Sequence, residues 1–271
     1  MPLLADPTSP DPSASARPTA TSTDFGPLVG AYAGQQQVHR VGYAPDPWAW
    51  TPWQYAHDGR FPGRWDDPDG LFRTLYVGDS RLGCYLEVLA CFRADPALAA
   101  ELEDIAEDPD DTHDHPTATP GQLSPNWLTP RRVGRARLSG WYALPGAHQS
   151  LPTLRSQFLP LAQYLGVLDL DAAAIRLAEP RDLTQQIASW LYQQTDPNEQ
   201  PVAGVRFASR HGDELVLWAL FERADATTSH QLSETTVEAL NVNDPELLQA
   251  LQTHKLSLLN RTNSTSRAPP E

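Results

Sequence analysis

The sequence predicts an α+β fold in a single domain with disordered termini. Three observations carry this reading. Strand-like and helix-like segments are mixed, without the regular alternation of a doubly wound sheet. Two apolar runs, Val202–Ala208 and Leu215–Phe221, flank the turn signal His211-Gly212-Asp213 as the strands of a hairpin would. The ends hold few large apolar side chains: residues 1–37 are rich in Pro, Ser, Thr, Ala and Gly, and Asn260 to Glu271 read the same way. Such stretches bury too little surface to offset the entropy of ordering them, whereas the 271 residues as a whole suffice for one substantial core.

The ordered part is expected to begin with a short strand at Val38–Gly42. Trp48, Trp50 and Trp53 then stand among prolines, which makes a rigid aromatic segment rather than a helix. Such rings most often cap a core, a wall for a stacked ring being the rarer use. Gly59 to Asp69 is a turn-rich loop carrying Arg60 and Arg64, and a strand at Thr74–Val77 leads into a helix over Asp79–Phe92. On a helical wheel Leu82, Tyr85, Leu86, Leu89 and Phe92 share one stripe, while Glu87 falls on the flank with Gly83 and Ala90. A carboxylate between small residues has room for a ligand.

Further on, Arg137–Leu144 reads as a strand, and Leu154, Phe158, Leu161 and Leu165 recur at helical spacing until Gly166. Asp182 is placed to cap a helix running to Tyr192. Beyond Phe221 the chain turns polar, until Asp244 and Pro245 supply a cap and a first-position proline for a last helix. Leu247, Leu248, Leu251, Leu258 and Leu259 give that segment an apolar face, expected to dock on the domain.

Residues 101–115 carry eight carboxylates and no Lys or Arg, more than half of the imbalance behind the formal charge of −14. A run of this kind is a solvated segment, and His113 and His115 within it point only weakly to a metal. The acidity argues against binding nucleic acid, which requires clustered basic groups for phosphates. The one basic cluster, Arg131, Arg132, Arg135 and Arg137, reads as a charged surface segment. Cys84 and Cys91, seven apart on the Glu87 helix, would hold their α carbons on the order of 10 Å apart, too far for a disulfide; both are expected as buried small hydrophobes. No secretory signal and no apolar run long enough for a membrane helix is present, which makes the cytoplasm the expected location.

Gly63-Arg64-Trp65-Asp66, the Glu87 helix, and Gly204-Val205-Arg206-Phe207-Ala208-Ser209-Arg210 followed by Trp218-Ala219-Leu220-Phe221-Glu222 place arginine, glutamate and serine in that order. In this the chain resembles the RES family, named for those three residue types. Its members look like ADP-ribosyltransferase-type enzymes and include NAD-consuming toxins of bacterial toxin–antitoxin pairs. Leu168–Asp171 and Leu183–Ala188 match the family outside the site itself.

The resemblance implies an ADP-ribosyltransferase-like arrangement of mixed sheets flanked by helices. A RES domain would span 38–225 with an acidic insertion at about 101–126, followed over 226–271 by a polar linker, the last helix and a tail. It further implies that Arg64, Glu87 and Ser209 are catalytic and that Arg40 and Tyr76 bind NAD. No cofactor is then required: NAD is the substrate, with inorganic phosphate a candidate co-substrate. An Xre-type antitoxin is the expected protein partner, and a homodimer is left open.

The chemistry suits these residue types. Cleaving nicotinamide from ribose passes through an oxocarbenium-like centre that a carboxylate, Glu87, can stabilise. A planar guanidinium suits the diphosphate through paired hydrogen bonds, with Arg64 the first choice and Arg40 the second. Tyr76 would stack on nicotinamide or donate a hydrogen bond, and Ser209 would orient a ribose hydroxyl, a phosphate or the carboxamide. No nucleophile elbow surrounds Ser209, and the glycine-rich fingerprints of hydride-carrying and phosphate-loop enzymes are missing, so NAD would be consumed rather than used as a carrier. Two alternatives stand beside NAD phosphorolysis or hydrolysis: a protein ADP-ribosyltransferase, and a catalytically weak regulatory module that binds NAD or a protein.

Overall fold

The computed structural model describes residues 17–94, 121–177, 179–223 and 231–259, and their fold is α+β. They gather into two compact units, each assembled from separate stretches of chain. The first takes in the residues up to Val38, Ala49–Asp79 and Arg135–Thr235; the second takes in His39–Trp48, Ser80–Gly134 and the residues from Thr236 onward.

The first unit is built on a mixed sheet. Its strands are β1 (Thr19–Thr23), β2 (Gly26–Tyr32), part of β3 (Gln36–Tyr43), β4 (Thr74–Gly78), part of β6 (Arg131–Leu138), β7 (Trp141–Ala143), β8 (Gly204–Ser209), β9 (Gly212–Phe221) and part of β10 (Leu232–Ala239). The order β1-β2-β7-β8-β9-β4 places β8 centrally. β7 and β8 pair in parallel, Tyr142 with Gly204 and Ala143 with Val205. A parallel pair needs a long crossover, and here it contains α2 (Leu151–Tyr164), α3 (Ala172–Arg176) and α4 (Arg181–Tyr192). Their apolar faces supply Leu154, Phe158, Leu183, Ile187 and Leu191, which cluster with Trp65, Trp141, Val205 and Phe221. β8 and β9 form the expected hairpin in the register Val205–Ala219 and Phe207–Leu217, with an irregularity between Ala208 and Ser209. At Gly204, with φ of +157°, a Cβ would lie 2.0 Å from the Ala219 carbonyl oxygen, so the strand crossing requires glycine.

The second unit contains α1 (Arg81–Leu89), continued by a 3₁₀ turn over Ala90–Phe92, and α5 (Pro245–Thr253), which pack on one another. It also contains β5 (Gln122–Leu123), which pairs in parallel with β11 (Ser257–Leu258). The Ser80 hydroxyl caps α1 by accepting from the Gly83 amide at 3.1 Å. Tyr85, Leu86 and Leu89 are buried as the wheel predicts, and Asp244 caps α5 as expected.

Several expectations are corrected. Residues 19–37, expected without structure, form β1, β2 and the start of β3: β-branched residues alternate through Thr19–Thr23, and Leu28, Val29 and Ala31 are buried. The polar stretch after Phe221 contains β10, a strand whose exposed side chains explain its polar composition. The arginines of the basic cluster, Arg131, Arg132, Arg135 and Arg137, keep to partly or fully exposed positions and lie on β6, where Arg131 stacks over the rings of Trp127 and Tyr43. Asp182 sits in the first turn of α4, whose cap position is Pro180. Cys84 is buried but Cys91 is exposed. Leu248 and Leu259 are largely exposed, leaving Leu247 and Leu251 as the buried side of α5. Residues 1–16 and 260–271 and the acidic run with His113 and His115 lie outside the described residues. Among the described residues, no helix is long and apolar enough to cross a membrane.

Candidate active site

The loop Gly59–Asp69 is shaped by its own carboxylates. Asp66 is buried; its Oδ2 accepts from the Gly63 amide at 2.6 Å, and its Oδ1 accepts from the Tyr76 hydroxyl at 3.2 Å. The same hydroxyl accepts from the Trp65 amide at 2.9 Å, so β4 grips the loop at both Trp65 and Asp66. Asp67 Oδ2 accepts from the Leu71 amide at 2.6 Å and closes the loop's far end. From α4, Gln185 Nε2 donates to the Gly63 carbonyl at 2.9 Å, and Arg181 donates to the Pro62 carbonyl. Gly63 has no room for a side chain: a Cβ there would stand 2.4 Å from Asp66 Oδ2 and 2.6 Å from the Tyr76 hydroxyl.

Arg64 projects from this braced loop. Its guanidinium lies 5.7 Å from the centroid of the Phe207 ring on β8, a cation–π distance. The other side of the loop puts Trp65, fully buried, 5.7 Å from the same ring. Arg64, Arg176, Arg206, Phe207, Ile175 and Leu144 line a cleft of about 390 Å³, within the range of roughly 300–1,000 Å³ usual for small-molecule sites. Three guanidiniums on one cleft favour an anionic ligand.

Burial dominates the electrostatics. It pushes the Tyr76 phenol well above 10, and the Asp66 carboxylate beside it adds to the shift. Burial likewise raises Asp66 above the ordinary carboxylate value, against the pull of its hydrogen bonds from Gly63, Thr74 and Tyr76 and the charge of Arg181. Tyr76 is thus held as a neutral donor. Arg206, opposite Trp218 in the hairpin, is pushed down by burial, with the charge of Asp79 opposing.

Ser209 ends β8 just after the strand irregularity and is buried; its hydroxyl accepts from the His211 amide at 2.9 Å, which shapes the hairpin turn. The first unit therefore carries Arg64, Tyr76 and Ser209, with Phe207 between the Arg64 loop and the Ser209 end of β8. The second unit carries the other two predicted residues. Arg40 on β3 donates from Nε to the Pro47 carbonyl at 2.6 Å. Glu87 is half-buried on α1, between buried Leu86 and Leu89, with Gly83 and Ala90 buried on its own flank.

A family model described as the RES domain matches residues 37–240. The chain belongs to the RES domain family. The match extends past the expected end at residue 225 and takes in β10. No curated protein matches this RES protein significantly. Among solved structures, the crystal structure of the M. tuberculosis MbcT-MbcA toxin-antitoxin complex is similar at 14% identity and a TM-score of 0.40, covering 84% of this chain and 92% of that one.

Sequence reasoning missed Asp66, Gln185 and Arg206 in this RES protein. Asp66 stands in the Gly63-Arg64-Trp65-Asp66 motif, but nothing local announces that it turns inward to Gly63 and Tyr76. Gln185 stood in the Leu183–Ala188 stretch that matches the family, but its contact with a loop 122 residues away leaves no local trace. Arg206 lay inside the motif around Ser209, and only the fold shows that it opens on the Arg64 cleft.

Proposed function

We propose that this RES protein cleaves the bond between nicotinamide and ribose in NAD, passing ADP-ribose to phosphate or water, and acts as the toxin of a toxin–antitoxin pair with an Xre-type partner. The observation that carries the reading is the braced Arg64 loop opening on an arginine-lined cleft within a RES domain. The roles follow the chemistry of each side chain. Arg64, held over Phe207, donates paired hydrogen bonds to the diphosphate, and Arg206 adds positive charge on the same cleft. The Tyr76 ring contributes an aromatic wall while its hydroxyl stays bonded to Asp66. Ser209 orients a ribose hydroxyl or phosphate oxygen, and Arg40 is a second binding group. Glu87 stabilises positive charge at the anomeric carbon as the bond to nicotinamide lengthens. Nicotinamide leaves as a neutral molecule, and phosphate or water supplies the oxygen that bonds to that carbon.

The test is nicotinamide release from NAD by the purified chain, with and without inorganic phosphate, followed by mass analysis of the second product. A phosphorylated ADP-ribose names phosphate as acceptor and free ADP-ribose names water. Mass added to a protein would replace the reading with protein ADP-ribosylation.

A further inference from the structure

Helix α5 begins at Pro245, beyond the RES match that ends at residue 240, yet in the second unit it is bonded to both ends of the helix that carries Glu87. At the start of α1, Asp244 Oδ2 accepts from Arg81 Nη1 at 3.1 Å and from the Tyr85 hydroxyl at 2.9 Å. The other Asp244 oxygen accepts from the Glu246 amide at 2.9 Å and caps α5. Glu246 Oε1 in turn accepts from the Leu82 amide at 3.3 Å, one of the first-turn donors of α1 that have no partner within the helix. In the last turn of α1, His254 Nε2 lies 2.8 Å from the Leu86 carbonyl oxygen; a carbonyl only accepts, so the imidazole donates. Between these ends Leu247, Ala250 and Leu251 are buried, as are Tyr85, Leu86 and Leu89.

A helix bonded at one end can still rotate about its axis or slide along it. A helix bonded at both ends, with a packed face between, can do neither without breaking several contacts. Glu87 is the residue after Leu86, whose carbonyl receives His254, and its direction from the helix axis is set by that rotation.

We propose that α5 is a clamp on α1 and that Asp244 and His254 are positioning residues that aim the Glu87 carboxylate. The inference rests on the role given to Glu87 above. Misplacing a reacting group by about 1 Å can cost on the order of a hundredfold in rate, so a partial release of the clamp predicts a loss of about tenfold or more.

Three full-chain variants test it: Asp244→Ala, His254→Leu and His254→Gln. The readouts are kcat and KM for nicotinamide release per folded molecule, and amide hydrogen exchange over residues 81–90. The clamp predicts that Asp244→Ala and His254→Leu lower kcat about tenfold or more with KM within about twofold, and that exchange in α1 accelerates. His254→Gln keeps a donor within reach and recovers most of kcat. Unchanged kcat per folded molecule in both Asp244→Ala and His254→Leu overturns the proposal, and His254→Leu decides it alone if Asp244→Ala does not fold. If the unmodified chain releases no nicotinamide, the Glu87 reading has failed separately. Exchange then judges the clamp: acceleration confined to the second unit supports it, and unchanged exchange in α1 overturns it.

Discussion

The Tyr76 hydroxyl donates to Asp66 Oδ1 at 3.2 Å while accepting from the Trp65 amide at 2.9 Å. One phenol thus fixes the residues directly after Arg64, and the arginine inherits that order. Tyr76→Phe keeps the ring and removes only these bonds. It is expected to cost about 1–3 kcal/mol of stability, since buried groups lose a partner, and to raise KM for NAD more than it lowers kcat. Urea denaturation together with steady-state kinetics checks both; an unchanged KM would remove Tyr76 from the positioning of Arg64.

Gly63→Ala tests the same brace sterically. Its Cβ would press on Asp66 Oδ2 and the Tyr76 hydroxyl at 2.4 and 2.6 Å, so a loss of about 1–3 kcal/mol is expected from overpacking. A thermal melt as high as that of the unmodified protein would show that the loop has more freedom than these distances allow.

Arg64→Lys keeps the charge and loses the planar fork. If Arg64 holds the diphosphate, kcat/KM falls about tenfold to a hundredfold, with Arg64→Ala lower still. Equal activity of the lysine variant and the unmodified protein would mean that charge alone matters and that paired hydrogen bonding does not.

The two units are expected to respond to acid in opposite directions. Burial pushes Asp244 up, but the hydrogen bonds from Tyr85, Arg81 and the Glu246 amide outweigh it and hold the carboxyl below its usual value. Asp244 therefore stabilises the fold above about pH 4, and that contribution is lost as the pH falls through its lower folded value. Asp66 is raised instead, so the folded first unit gains relative to the unfolded chain as the pH falls through the window just above about 4. Hydrogen exchange on acidification should show α1 and α5 losing protection before the Arg64 loop. Simultaneous loss would contradict this assignment. Because burial and the Asp66 charge keep the Tyr76 phenol protonated well above 10, activity should show no loss from Tyr76 ionisation below about pH 10.

Helices α1, α2, α4 and α5 and the central hairpin were legible because each has its own signal, among them leucines at helical spacing before Gly166, the Asp244-Pro245 start of α5, and the turn at His211-Gly212-Asp213. β1 and β10 were not, because composition hid them. One is a run of small polar residues, and the other exposes most of its side chains, so neither shows the clear alternation of a half-buried strand. At the site, Arg64, Glu87 and Ser209 could be named from their motifs, and the small-residue flank of Glu87 was visible on a helical wheel. Of the residues that hold them, Gln185, Asp244 and His254 act across long separations in sequence, where period and local motif carry no information, and Asp66 turns back on Gly63 and Tyr76 in an irregular loop that has no period to read.

The most direct measurement is nicotinamide release from NAD by the full chain beside Glu87→Ala, with both proteins shown to be folded. The account predicts turnover by the unmodified chain and a loss of at least about a hundredfold in kcat in the variant, the scale of removing one group that stabilises developing charge. Undiminished release by Glu87→Ala, or none from the unmodified chain with or without phosphate, would contradict it.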